Sequence, residues 1–226
     1  MTMKRVAMAA FGLLFATTAF AAELLPELGT GGVLERPKGK PRGSIILMGG
    51  GNGYLGITAD GEITSLRGNS LIRSRRAFAN AGFATLALDA GTSPSTAIAA
   101  MRKIAKPVIV VGTSRAATRM HRALDADALV ITSGMLDHFQ SNVGSPDAMP
   151  PLLVVHHRND GCRVTLPSLV EPFKAWGGAK VRVTWLSGGR DEGDPCQARG
   201  HHGFTGIEGQ MIGAITGFAR GVRARQ

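Results

Sequence analysis

The sequence predicts an α/β fold, with a mostly parallel central sheet and helices on both faces. Short apolar runs typical of buried strands alternate along the chain with stretches of helical periodicity. The 31 glycines suit the many tight turns that such alternation requires. Most connections are short, and only residues 53–68 and 136–149 offer room for an insertion. We therefore expect no separate lid domain.

The elements follow from these two patterns. Apolar runs bounded by glycine, proline or polar residues predict buried parallel strands, whereas apolar residues spaced three and four apart predict helices that pack on the sheet. The predicted strands are, in chain order, Ser44–Met48, 83–88, 108–111, 128–131, 152–155 and Val181–Leu186. The predicted helices are 70–81, ended by Gly82, then 95–105 with a serine cap, the segment after Ser114, 165–176 and 207–222.

The first 22 residues have the pattern of a secretory signal peptide. Lys4 and Arg5 precede the uncharged apolar stretch 6–20, and residues 19–21 read Ala-Phe-Ala, a small-x-small cleavage pattern. A membrane anchor is the alternative, but the apolar stretch is short for a span of about 20 residues. We therefore expect export to the periplasm or beyond. Residues 23–42 read as an extended arm or an edge strand at 32–35, and residues 43–226 as the main domain.

The chain is strongly basic, with a formal net charge of +10 at pH 7. Loss of the leader would remove Lys4 and Arg5 and no acid, which would leave +8. Arginines cluster at positions 73, 75 and 76 and again at 220, 223 and 225. Such clusters either attract an anionic surface or form an ordinary solvated face, and we favour the solvated face. No aromatic residues interleave with them, so we expect no nucleic-acid partner.

Ser114 stands at the point where the strand 108–111 passes into a helix. It lies in Gly112-Thr113-Ser114-Arg115-Ala116, with small residues two positions away on each side. A tight strand-to-helix turn needs such small neighbours because the two backbones come close together. This stretch resembles the G-x-S-x-G nucleophile elbow of the α/β-hydrolase family, with alanine in place of the last glycine. The resemblance implies that Ser114 is a catalytic nucleophile; otherwise it is a capping serine in a polar turn.

A glycine-rich loop, Gly49-Gly50-Gly51-Asn52-Gly53, follows the strand Ser44–Met48. It could cradle a phosphate, but neither the P-loop pattern nor the dinucleotide-binding spacing is present. The hydrolase resemblance implies instead an oxyanion loop, in which backbone N–H groups bind the substrate oxygen. We expect Gly50 and Gly51 to contribute, with the Arg115 N–H as a second donor. A flexible surface loop is the plain alternative.

The same family places an acid and then a histidine after the nucleophile. Asp160 follows the second strand downstream of Ser114, and His202 lies between the last strand and the last helix. The resemblance therefore implies Asp160 as the acid and His202 as the base. Several neighbours compete for these roles: His201 as the base, and Asp191 or Asp194 as the acid. The pair at positions 156 and 157 lacks the partners of a zinc site and reads as ordinary strand-end histidines, so we expect no metal and no other cofactor.

Cys162 and Cys196 are the only two cysteines. In an exported protein an even pair predicts a disulfide, and free thiols are the alternative. The bond would join the turn of Asp160 to the loop of His202.

These residues predict a serine hydrolase that cleaves carboxylic esters through an acyl-enzyme, with a small-molecule or polymeric ester as substrate. A peptidase or amidase on the same scaffold is a second hypothesis. A third is an exported binding protein that keeps the fold without catalysis and makes weak contact with anionic surfaces.

Overall fold

The computed structural model describes residues 22–225. One sheet of eight strands runs through this part of the chain. Its strands are β1 (Glu23–Leu24), β2 (Gly32–Glu35), β3 (Ser44–Met48), β4 (Ala84–Leu88), β5 (Val108–Thr113), β6 (Ala128–Thr132), β7 (Leu152–His157) and β8 (Val181–Leu186). The predicted leader lies outside the described residues, apart from its last residue, Ala22.

The spatial order of the strands is β1-β2-β4-β3-β5-β6-β7-β8. The pairs β1–β2 and β2–β4 are antiparallel, and all other neighbouring strands are parallel. The carboxyl ends of β3, β5 and β7 therefore share one edge of the sheet, where a ligand is expected in an open α/β fold. Residues 32–35, for which the sequence left an arm or an edge strand open, form β2 inside the sheet.

Helices cover both faces of the sheet, as the sequence predicts. They are α1 (Ser70–Arg73), α2 (Arg75–Asn80), α3 (Pro94–Ile104), α4 (Leu136–Val143), α5 (Val170–Gly177) and α6 (Glu208–Arg220), with a 3₁₀ segment, Ser114–Ala123, after β5. Buried side chains of α3, the 3₁₀ segment, α4 and α5 form the core on one face. Buried side chains of α1, α2 and α6 form the core on the other.

Four of the predicted helices differ in detail from the structure. The stretch 70–81 is two helices that meet at Ser74. The helix predicted for 95–105 begins at Pro94, and its N-cap, Ser93, makes no side-chain capping bond. The helix predicted for 165–176 begins at Val170, after a 3₁₀ turn at Pro167–Leu169; residues 165 and 166 lie outside both, because Pro167 disfavours helical backbone in the residue before it. Residues after Ser114 are 3₁₀-helical rather than α-helical.

The two long connections are not lids. Residues 53–68 fold back on themselves through a bridge between Ile57 and Ile63, and the buried Leu55 anchors this loop against the sheet. Residues 136–149, the second connection with room for an insertion, contain α4. No helix within residues 22–225 is long and apolar enough to cross a membrane.

Candidate active site

Ser114 occupies a strained turn at the carboxyl end of β5. Its backbone φ is +54°, in the left-handed region that side chains other than glycine rarely adopt. A side chain at Gly112 would clash with Met120 Sδ, and its Cβ would also lie 3.4 Å from Ala116 Cβ. The crowding that the sequence predicted on both sides of this serine is therefore present. The turn leaves the Ser114 side chain half-buried, with no hydrogen bond to another described residue.

The glycine-rich loop after β3 packs directly against this serine. A Cβ added at Gly50 would lie 3.1 Å from Ser114 Cβ and 3.2 Å from the carbonyl oxygen of Thr113. The N–H of Gly53 donates to the Gly50 carbonyl at 3.0 Å, which closes a turn that passes through Gly51 at a φ of +60°. Gly50 and Gly51 thus line the same cleft as Ser114.

Two side chains that the sequence analysis missed hold this loop. Asp89, at the end of β4, accepts hydrogen bonds from the N–H groups of Leu55 at 2.7 Å and Gly91 at 2.9 Å. Arg119 donates to the Gly49 carbonyl at 3.3 Å, and burial lowers the pKa of this arginine although Asp89 opposes the effect. Asp89 could have been noticed in the sequence, because it directly follows a predicted strand. The contact between Arg119 and the Gly49 carbonyl could not, because it joins residues that are distant in sequence.

Asp160 and His202 meet beneath the cleft. His202 Nδ1 lies 3.0 Å from Asp160 Oδ2 and 3.3 Å from Oδ1, and both side chains are buried. Asp160 also accepts hydrogen bonds from the Cys162 N–H at 3.0 Å and from Thr165 Oγ1 at 3.2 Å. The Thr165 hydroxyl lies 3.2 Å from His202 Nδ1 as well, a contact that sequence reasoning did not anticipate.

The charge on Asp160 is supported by these contacts. Burial acts to raise the pKa of the carboxyl, but the hydrogen bond and charge of His202 and the Cys162 N–H outweigh it, so the pKa lies below its ordinary value. Asp160 is therefore ionised at neutral pH and fixes His202 through Nδ1. No hydrogen bond within residues 22–225 occupies Nε2 of His202, which remains available for proton transfer.

The competing residues lie elsewhere. His201 stacks on His157, with ring centroids 4.2 Å apart, and its Nδ1 is 3.6 Å from the Asp191 carboxylate. Asp194 accepts a hydrogen bond from the Cys196 N–H at 2.8 Å.

His156 also lies beside the Asp160 carboxylate. Its Nε2 is 3.5 Å from Asp160 Oδ2, but neither ring nitrogen makes a well-aligned hydrogen bond to a described residue. Its side chain is fully buried, edge-on to Trp185. Burial lowers the pKa of His156 to about 4, against the opposing charge of Asp160, so this ring is neutral at pH 7.

Ser114 and His202 line one cleft of approximately 450 Å³. Its walls come from the glycine loop, Leu66 and residues 68–70 on one side and from residues 196–199 and 203 on the other. Within the described part of the chain, no cluster of three or more His, Cys, Asp or Glu residues could hold a metal ion. The arrangement combines a hydroxyl on a strained turn, a histidine–carboxylate pair and backbone N–H groups.

Two links hold the His202 loop in place. The predicted disulfide is confirmed: Cys162 and Cys196 are bonded, so the Asp160 turn is tied to this loop. Arg73 donates to the carbonyls of Gly68 at 2.5 Å, Ala198 at 3.1 Å and Gly203 at 2.8 Å, and pairs with Glu208 at 2.9 Å. It therefore ties together the two walls of the cleft.

The expectation that the arginines at 73–76 form a solvated face is wrong in part. Arg73 is held within the protein as described above, and Arg75 Nε pairs with the buried carboxylate of Glu35 at 3.0 Å. Arg76 also approaches Glu35, at 3.4 Å, but its side chain remains 60% exposed. The groups that bind these arginines lie far away in sequence, so the arginine cluster alone could not predict them.

Comparison with known proteins identifies the fold. No protein-family model matches the sequence, and no curated protein matches it significantly. Similar solved structures include an alpha-beta serine hydrolase homologue from Coxiella burnetii, with 17% identity and a TM-score of 0.57 over 83% of this chain and 90% of that one. A serine hydrolase without a lid from Xanthomonas campestris shares 15% identity and a TM-score of 0.58, over 86% and 90% of the two chains. An esterase domain from Rhodothermus marinus shares 12% identity and a TM-score of 0.58, over 84% and 91%.

Proposed function

Because the chain has the α/β-hydrolase fold, we propose that it is an exported serine hydrolase that cleaves carboxylic esters. The observation that carries this proposal is the His202–Asp160 pair: Asp160 is buried beneath the cleft, and His202 lines the same cleft as a serine with left-handed backbone. Solved structures of similar fold are described as serine hydrolases and as an esterase, which agrees with the proposal.

Acylation begins with attack of Ser114 Oγ on the ester carbonyl. A serine hydroxyl is a weak nucleophile at neutral pH, so His202 Nε2 accepts its proton as the bond forms. Asp160 accepts a hydrogen bond from Nδ1–H, which selects the productive tautomer and stabilises the imidazolium. The alkoxide then leaves with the proton from Nε2, and the acyl group remains on Ser114.

The tetrahedral intermediate carries a negative oxygen that needs N–H donors. Gly50, Gly51 and the N–H of Arg115 are the proposed donors, because the loop packs on Ser114 and Arg115 follows it directly. The absence of a side chain at Gly50 is what allows this close approach. Water, activated by His202, then attacks the acyl-enzyme and releases the carboxylic acid.

An ester is the preferred substrate because an alkoxide leaves more easily than an amine. The cleft is open and has no covering lid in residues 22–225, and its volume suits a short acyl chain or one residue of a larger polymer. Export is supported by the leader pattern of residues 1–22 and by the disulfide, which persists in oxidising compartments. N-terminal sequencing of the protein from its native cell should begin near residue 22 or 23; an intact Met1 contradicts export.

Fluorophosphonate labelling tests the proposed chemistry. The probe should label the oxidised wild-type protein and fail to label S114A or H202A, because both the nucleophile and its base are required. Asp160→Asn should lower kcat on a nitrophenyl ester by about 10⁴-fold, as a wrong histidine tautomer does in such sites. The matched control is His201→Gln, which removes the adjacent histidine and should keep labelling. Equal loss of labelling in H201Q and H202A, or labelling of S114A, contradicts the assignment.

A further inference from the structure

Arg199 gives the cleft a positive charge that the proposed chemistry does not use. It lines the same cleft as Ser114 and His202, and its side chain is exposed. No residue lining that cleft is an aspartate or glutamate. Within residues 22–225 the Arg199 guanidinium makes no hydrogen bond and no ion pair. It is therefore an exposed cation in the cleft wall that no described residue compensates.

The nearby acids are all engaged with other groups. Asp191 lies beside His201, Asp194 accepts the Cys196 N–H, and Glu192 lies 3.6 Å from Arg190. None of these carboxylates contacts Arg199. The charge of an arginine guanidinium is carried by a planar group with five N–H donors and no acceptor.

The backbone around Arg199 is fixed on both sides. Three residues before it, Cys196 is bonded to Cys162, and the neighbouring carbonyl of Ala198 accepts a hydrogen bond from Arg73. Arg73 also holds the carbonyl of Gly203, just beyond His202. The guanidinium therefore extends from a braced loop, a position suited to recognition of a specific group. Arg115, directly after Ser114, is also exposed and its side chain has no partner within residues 22–225, but it does not line the cleft.

We propose that the cleft selects esters that carry an anionic group close to the scissile bond, and that Arg199 binds this group. The planar guanidinium binds a carboxylate or a phosphate through two parallel hydrogen bonds, which gives orientation as well as affinity. The inference rests on the proposed esterase activity and adds the substrate class: an ester of a dicarboxylic acid, or of an alcohol or phenol that bears an acidic group.

Matched substrates test the proposal with the full oxidised protein. On the alcohol side, 3-acetoxybenzoate is compared with 3-acetoxybenzamide, which has the same acetyl ester but no charge. On the acyl side, the mono-4-nitrophenyl ester of adipate is compared with 4-nitrophenyl hexanoate. A further arm with 3-acetoxyphenyl phosphate distinguishes recognition of phosphate from recognition of carboxylate. The wild type should favour the charged member of at least one pair by roughly tenfold or more in kcat/KM.

Three variants assign this preference to a residue. Arg199→Gln should lose most of the ratio between charged and neutral substrates, whereas Arg199→Lys should keep part of it because the charge remains. Arg220→Gln removes the same unit of net charge from an exposed position on α6 outside the cleft and should keep the full ratio. Added salt should reduce the ratio in the wild type more than in R199Q.

The outcomes separate the two proposals. Equal hydrolysis of charged and neutral esters, or a preference that R199Q retains, overturns the role of Arg199 and leaves the esterase proposal standing. Failure to hydrolyse every ester, together with no fluorophosphonate labelling, overturns both.

Discussion

Acidification should destabilise the protein through His156, before Asp160 begins to take up a proton. The His156 ring is fully buried, and its nitrogens lack well-aligned hydrogen bonds within the described residues. Burial is the main reason that its pKa falls to about 4, and the Asp160 carboxylate 3.5 Å away offsets only part of the effect. In the unfolded chain the same ring has the ordinary value of 6.5. At pH values between these two pKa values, the His156 ring is therefore neutral in the folded protein and protonated in the unfolded chain.

The size and sign of the effect follow from this difference in pKa. Between pH 6.5 and 4 the unfolded state binds more protons than the folded state, so the free energy of unfolding falls as the pH is lowered. At ~1.36 kcal/mol per pH unit, the full loss is about 3.4 kcal/mol, reached below pH 4. About 2 kcal/mol of it is lost by pH 5, and almost none above pH 7.5.

Urea denaturation at pH 7.5, 6 and 5 measures this loss in the wild type and in His156→Gln. The variant should lose less stability between pH 7.5 and pH 5 than the wild type, by about 2 kcal/mol. The comparison uses changes with pH, so a general destabilisation by the substitution cancels. His138→Gln, which removes an exposed imidazole from α4, is the control and should follow the wild type.

Titration of Asp160 does not contribute to the change in unfolding free energy between pH 7.5 and pH 5. Its pKa is lowered in the folded state, so the stability that it contributes is lost only as the pH falls below its ordinary value of 3.8. Parallel pH profiles for wild type and H156Q down to pH 5 would refute the reasoning, because they would show that His156 takes up its proton equally in both states.

Three further predictions concern the supports of the site. Replacing both Cys162 and Cys196 by serine opens a loop of 34 residues and should lower the free energy of unfolding by about 3–4 kcal/mol, measured by denaturation against the oxidised wild type; an unchanged midpoint contradicts it. Arg73→Met should cost about 1–2 kcal/mol and lower kcat/KM, since it frees both cleft walls, whereas Arg76→Met, at a mostly exposed side chain, should cost less; equal effects argue against the brace. Thr165→Val removes a hydroxyl from Asp160 and should lower kcat about tenfold, with Thr165→Ser restoring most of it; failure of serine to restore activity points to packing instead.

The central strands and the serine turn could be predicted because their signals are local. The β-branched run before Gly112 predicts a central strand that is buried on both faces. The small residues Gly112 and Ala116 predict a tight turn around Ser114. The disulfide followed from counting cysteines in a chain with a leader pattern. Asp160 and His202 were assigned from the resemblance to the α/β-hydrolase family, and the structure brings the two side chains together.

The remaining features depend on contacts between distant residues. The helix α4 contains few apolar residues, and it packs on α5 through an edge contact between Phe139 and Phe173, with ring centroids 5.9 Å apart. The role of Arg73 depends on Glu208, which lies 135 residues away. Thr165 was assigned to a helix, but its hydroxyl is used by Asp160. Such pairings arise from tertiary packing, and nothing in the local pattern marks them.

The two outer strands of the sheet bear on how the protein behaves at high concentration. An uncovered edge strand offers free N–H and C=O groups to a second chain, which is a common start of aggregation. Here one edge is the two-residue β1, flanked by an ion pair between Glu23 and Arg36 at 2.7 Å. The other edge, β8, presents the exposed Arg182, and Arg158 lies over its Trp185 at 5.4 Å. Within residues 22–225 both edges are thus short or charged, so the mostly parallel sheet between them is protected from edge-to-edge pairing with a second copy.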